Sequence, residues 1–207
     1  MIRITNRRSV AARCDATYEP RNPNRMMDAP PKGYPYGPDW PLRMTELLFL
    51  DLETTGIRPD RRGGIEEIAL LDRKRTVLHW QAKTDDAGSL RETLAALVQA
   101  LDGHVVVGHN IGFDLHHLTH EAHRLDLPGP TVCAIDTLGL ARRLQVPAVD
   151  YSLGALLRLF GKMPERPLHT ARVDAAATRE LLWQLVAYGN LTTLSDAGAR
   201  PVHWVSS

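Results

Sequence analysis

From Leu47 onward, apolar runs and polar breaks alternate at a regular pace. Leu47 to Leu50 is apolar without interruption and reads as a buried strand, and two carboxylates, Asp51 and Glu53, stand where it runs out. Alternate side chains of a strand share a face, so Asp51 and Glu53 point one way and Leu52 the other. Two like charges at the end of a buried strand repel each other and are costly to desolvate. A bound cation would turn that liability into a site.

The same periodicities place the rest of the chain. The polar run Arg58 to Gly64 reads as a turn, Ile65 to Leu71 as a second strand and Thr76 to Ala82 as a third, joined closely enough for an antiparallel meander. Ser89-Leu-Arg-Glu92 is a capping box that opens a helix with Leu90, Leu94, Leu97 and Leu101 on one face, and Gly103 closes it. Val105 to Gly108 is a short, fully apolar strand, followed by a helix to about Arg124. Thr131 to Ile135 is a fifth strand ending at Asp136. Helices follow to Leu144, over Ser152 to Phe160, and from about Val173 to Tyr188. Strands first, then strands alternating with helices, predict an α/β fold with a mixed five-stranded sheet flanked by helices.

Residues 1 to 44 break this rhythm. They hold Pro20, Pro23, Pro30, Pro31, Pro35, Pro38 and Pro41, half of the chain's 14 prolines, and read as an extended or flexible arm rich in arginine. Met44, just before the first strand, is an alternative start. The folded domain is expected over residues 45–190, with a short tail over 191–207. A formal net charge of +1 argues against gripping nucleic acid by overall charge, while leaving room for a local basic rim around an acidic pocket. Cys14 and Cys133 form no spaced framework, which points to a reducing compartment, and no apolar run approaches the ~20 residues that cross a bilayer. The expectation is a cytoplasmic protein with no membrane partner.

Three acidic motifs stand in order: Asp51-Leu-Glu53-Thr-Thr-Gly56 at a strand end, Asp114 near the start of a helix, and His169-Thr-Ala-Arg-Val-Asp174 entering the last helix. Strand ends and helix starts of an α/β sheet converge on one crevice. Four carboxylates there are hard oxygen ligands suited to Mg²⁺ or Mn²⁺, and can hold two such ions in the geometry that serves phosphoryl transfer. His169, on the loop before the helix, is placed to act as general base near neutral pH. Taken singly, each piece has a plainer reading: Asp-x-Glu as a solvated turn, Asp114 as a first-turn surface acid, His169 as a loop histidine, Thr54 and Thr55 as helix caps. His116 and His120 have the i, i+4 spacing of a zinc pair but lack a glutamate between them, so a solvated helix face is the expectation there.

Together with Gly108-His-Asn110-Ile-Gly-Phe113-Asp114, these motifs resemble those of the DEDDh 3′-5′ exonucleases, the family of the proofreading epsilon subunit of bacterial DNA polymerase III. Glu67-Ile68-Ala69, Asp136-Thr137 and Tyr151-Ser-Leu153 are further echoes, and the resemblance covers about residues 45 to 190. It implies a ribonuclease H-like fold and a DnaQ-like, metal-dependent exonuclease. Asp51, Glu53, Asp114 and Asp174 would bind two divalent cations, and His169 would be the general base. Thr54, Thr55, Gly56 and Ile57 would line the pocket of the 3′-terminal nucleotide, with Asn110 and Phe113 holding the strand end. The implied partners are single-stranded DNA or RNA 3′ ends and a polymerase or repair complex. Lys83 to Gly88 stands where the family often carries a longer loop that touches the terminal base. A silent binding module on the same fold and an RNA-directed enzyme are the other readings.

Overall fold

The computed structural model describes residues 37–57, 59, 64–82, 87–129 and 131–203; most of the predicted arm and of the Arg58–Gly64 turn lies outside them. Among the described residues six strands form one sheet in the order β3-β2-β1-β4-β5-β6. They are β1 (Leu47–Thr54), β2 (Ile65–Leu71), β3 (Thr76–Gln81), β4 (Val105–Gly108), β5 (Thr131–Asp136) and β6 (Arg200–His203). The meander β1-β2-β3 is antiparallel, β4 and β5 run parallel to β1, and β6 closes the far edge antiparallel to β5. The helices are α1 (Ala87–Leu101), α2 (Ile111–Arg124), α3 (Thr137–Arg143), α4 (Leu153–Leu159) and α5 (Ala171–Gly189).

The pleat divides the core into two. Odd residues of β1, Leu47 and Phe49, join Val105, Val107 and Ile135 in packing against α3, α4 and α5. Even residues, Leu48, Leu50 and Leu52, pack with Val106 against Leu94 and Leu97 of α1 and Leu115 and Leu118 of α2. Strand β4 is buried at every position, as a central parallel strand covered on both faces must be. This parity decides what the acids meet. Asp51 and Glu53 continue the odd row, so they face α5, the helix that carries Asp174.

Two differences from the sequence reading are tertiary in origin. Trp40 and Leu42, in the stretch read as arm, join the core: Leu42 is 0% exposed and Trp40 packs beside it. Arg73 makes this possible by donating to the carbonyls of Leu42 and Thr45, both at 3.0 Å, while its guanidinium lies 4.9 Å from the Trp183 ring centre. At the other end, the predicted tail supplies β6 and buries Leu194 and Ala197, giving six strands rather than five. Pro201 hid that strand, because proline is tolerated only where no partner needs its missing N–H, as on this edge. No helix among the described residues is long and apolar enough to cross a membrane.

Candidate active site

The end of β1 and the start of α5 bring three of the predicted ligands together. Carboxylate oxygens of Asp51, Glu53 and Asp174 all lie within 4.8 Å of one another, each group half-buried. Asp114 is not in this triad. It arrives from α2, on the opposite layer, is only 4% exposed, and its Oδ1 accepts the Leu52 backbone N–H at 3.0 Å. That bond ties α2 to the strand carrying Asp51 and Glu53.

The electrostatics of the cluster are those of acids forced together. Burial, then the charges of Asp114, Asp174, Glu53 and Glu67, push the Asp51 carboxyl far above the ordinary carboxylate range. Burial likewise raises Asp114, although the Leu52 N–H opposes it, and raises Glu53, with Asp174 and Glu67 adding to the effect. Asp174 is raised by burial and lowered in part by His169. Hard oxygen donors that destabilise one another in this way fit a divalent cation, which would offset both their mutual repulsion and the cost of burying their charge.

The sign for stability follows directly. Unfolded carboxylates titrate near ~4. Groups raised in the folded state favour folding most fully below that value, and the contribution is lost as pH climbs toward their folded pKa values. In cation-free buffer the melting temperature should therefore fall between about pH 5 and pH 8, and Mg²⁺ or Mn²⁺ should restore it most at the upper end. Calorimetry at the two pH values checks this; a melting temperature that climbs with pH in cation-free buffer would refute it.

His169 is exposed and its backbone φ is +87°, a left-handed region that non-glycine residues seldom occupy. Its backbone N–H donates to Asp174, 3.2 Å from Oδ1 and 3.3 Å from Oδ2. The predicted base is thus latched to a predicted ligand, close enough for its charge to lower both Glu53 and Asp174.

The predicted pocket residues fall around the same strand end. Thr54 closes β1 and donates its hydroxyl to the Gly56 carbonyl at 2.9 Å. Thr55 pins the far side of the turn, its N–H donating to the Gly64 carbonyl at 3.0 Å and its Oγ1 accepting the Gly64 N–H at 2.8 Å. Ile57 is 84% exposed. Asn110 precedes α2 and is exposed, whereas Phe113 is half-buried with its ring 4.5 Å from that of His117. His117 is itself fully buried, whereas His116, on the face expected to be solvated, is exposed.

Glu67 is the acid that sequence reading did not place in the site. It stands directly opposite Glu53 in the β1–β2 ladder, is 6% exposed, and lies 2.7 Å from His79 Nε2. Like charges facing each other across strands are ordinarily destabilising, and the His79 partner offsets this. Its signal was the second glutamate in Ile65-Glu-Glu-Ile68, but only the register says which partner it faces.

The family model described as Exonuclease (RNase_T) matches residues 73–182. That span includes Asp114, His169 and Asp174 and begins beyond Asp51 and Glu53. A protein of Mycobacterium tuberculosis named as a bifunctional exonuclease/endonuclease is 30% identical over 177 residues, covering 70% of this chain and 27% of that protein. A PolC-type DNA polymerase III of Lacticaseibacillus paracasei is 29% identical, over 86% of this chain and 14% of its own length. The chain thus spans about a quarter or less of these relatives. Among solved structures, exonuclease X in complex with 5′ overhanging duplex DNA superposes with a TM-score of 0.51 at 24% identity, over 73% of this chain and 98% of that one. The family B DNA polymerase of Pyrobaculum calidifontis gives 0.58 at 18% identity, over 74% of this chain and 27% of that one. These likenesses show the fold, the ribonuclease H-like sheet that the motifs implied.

Proposed function

Since the chain belongs to the exonuclease family, in its DnaQ-like 3′-5′ branch, we propose that it removes nucleoside 5′-monophosphates one at a time from the 3′ ends of single-stranded nucleic acid, DNA first. The observation that carries this reading is the triad of Asp51, Glu53 and Asp174 within 4.8 Å, with the His169 loop tied to Asp174. Asp51, Glu53 and Asp174, joined by Asp114 from the far layer, would hold two divalent cations, Mg²⁺ or Mn²⁺. Bound there, the cations would activate water and neutralise the charge that gathers on the departing 3′ oxygen.

The protein's own groups supply the rest. His169 takes the proton of the attacking water as its oxygen bonds to phosphorus. The bond from phosphorus to the 3′ oxygen breaks, which releases a nucleoside 5′-monophosphate, and the departing 3′ oxygen takes a proton from solvent to become the new 3′ hydroxyl. The Thr54–Ile57 turn borders the terminal nucleotide, and Asn110 and Phe113 hold the strand end. Pairing would obstruct the path of the terminal base into such a pocket, which favours single strands. A polymerase or repair complex is the partner this activity would suit, and the PolC-type relatives support that choice.

A 5′-labelled oligonucleotide incubated with Mg²⁺ should shorten stepwise, faster as DNA than as matched RNA. Full-length label persisting at micromolar enzyme would reject the activity. Faster loss of the RNA would keep the activity and reverse the substrate, toward transcript trimming.

A further inference from the structure

Five non-glycine residues have positive φ among the described residues: Asn110, Asp126, Gln145, His169 and Asn190. Asp126, Gln145 and Asn190 follow the ends of α2, α3 and α5, where a left-handed residue is the usual way to stop a helix. Asn110 and His169 instead lead into α2 and α5. Both are exposed, and each donates its strained backbone N–H to a carboxylate: His169 to Asp174, and Asn110 to Asp136 Oδ1 at 2.8 Å. Strain of this kind persists only where the surroundings enforce it, and it gathers at functional sites.

The enforcement around Asn110 is dense. Asp136 Oδ1 also accepts the Leu138 N–H at 3.1 Å, so β5, α3 and the Asn110 turn share one oxygen. Thr137 Oγ1 donates to the Gly108 carbonyl at 3.2 Å and lies 3.0 Å from His109 Nδ1. His109 Nε2, 3.0 Å from the Tyr151 carbonyl, must carry the proton there, because a carbonyl can only accept. At Gly108 itself a Cβ would fall 2.3 Å from Ile111 Cδ1, so the chain turns where no side chain fits. Asn110 occupies the cap position of α2 yet makes no side-chain cap bond, although asparagine there ordinarily does. Its carboxamide is held out at the surface and is not spent on the helix.

We propose that Asp136 is a positioning residue: through its hydrogen bond to the Asn110 amide it holds Asn110 in the left-handed conformation that presents the carboxamide to the strand end. The inference rests on the exonuclease reading above. Asp136 does for the residue that grips substrate what Asp174 does for the base, without belonging to the acid triad.

The test is a comparison of Asp136→Ala and Asp136→Asn in the full chain. Alanine removes the acceptor; asparagine keeps an acceptor oxygen and discards the charge. Asp136→Ala should raise KM for a single-stranded oligonucleotide roughly tenfold with kcat changed less than threefold, on the scale of one hydrogen bond. Asp136→Asn should recover most of that loss. In an Asn110→Gly background, where the positive φ costs little, Asp136→Ala should add almost nothing. Hydrogen exchange of the Asn110 amide should quicken in Asp136→Ala and stay slow in Asp136→Asn, and this readout needs no turnover. An asparagine variant as impaired as the alanine one, a loss confined to kcat, or an additive effect in the Asn110→Gly background would overturn the proposal. Wild-type protein that shortens no strand would instead sink the exonuclease reading, and the amide exchange would still decide whether Asp136 holds Asn110. Should Asp136→Ala fail to fold, Asp136→Ser, with a shorter acceptor, takes its place in each arm.

Discussion

His169→Ala is expected to lower kcat by roughly 10²–10⁴ while divalent cations bind nearly as well as before, the pattern left by loss of a general base. The position makes the choice of substitution matter. At φ +87° the backbone of residue 169 is strained for any side chain with a Cβ, and alanine has no polar group to compensate. Asparagine tolerates the left-handed region better, so His169→Asn keeps the loop geometry and removes the imidazole. Both variants should be slow, and only the alanine should also show a looser loop by proteolysis or amide exchange. A rate close to wild type in His169→Asn would remove His169 from the chemistry. Strong impairment in alanine alone would make the residue a loop anchor.

Asp51→Asn should abolish strand shortening and, in cation-free buffer near pH 8, make the fold more stable. The two effects have one cause. Asp51 sits among Asp114, Asp174, Glu53 and Glu67, which together with burial hold its carboxyl well above the usual range, so its charge is a cost whenever no cation shares it. A neutral side chain of the same shape removes that cost, for a gain of at least ~1 kcal/mol. It also removes a ligand, so added Mn²⁺ should raise the melting temperature of the variant less than that of the wild type. Active sites commonly trade stability for function in this manner. Thermal melts with and without Mn²⁺, alongside the labelled-strand assay, test both halves. A variant less stable than wild type in cation-free buffer would show that Asp51 serves the fold.

Hydrophobic rhythm alone located most of the elements. The apolar run Leu47–Leu50, the all-buried Val105–Gly108 and the leucine stripe of α1 are local patterns, and their periods translate into strand or helix without any partner. Helix ends were also legible: Ser152 caps α4 by accepting the Ala155 N–H at 3.3 Å, and Gly103 takes φ +74° after α1. Boundaries shifted where no local signal marks them. The first residues of α1 precede the capping box, and α5 begins at Ala171, two residues before the apolar period suggested.

For the site, the sequence by itself determined the chemistry available: which acids end which elements, that Asp51 and Glu53 share a face, and that His169 precedes Asp174 on a loop. Pleat and helix periods are properties of a single segment, so no tertiary contact is needed to read them. Only the tertiary structure decided that Asp51, Glu53 and Asp174 close into a triad while Asp114 is bound to the Leu52 N–H from the other layer. It alone set Glu67 opposite Glu53, drew Trp40 and Leu42 into the core, and made a strand of Arg200–His203. The left-handed turns at Asn110 and His169 belong with these. Each depends on strand register or on a partner tens of residues away, and such partners leave no periodic trace in the segment that waits for them.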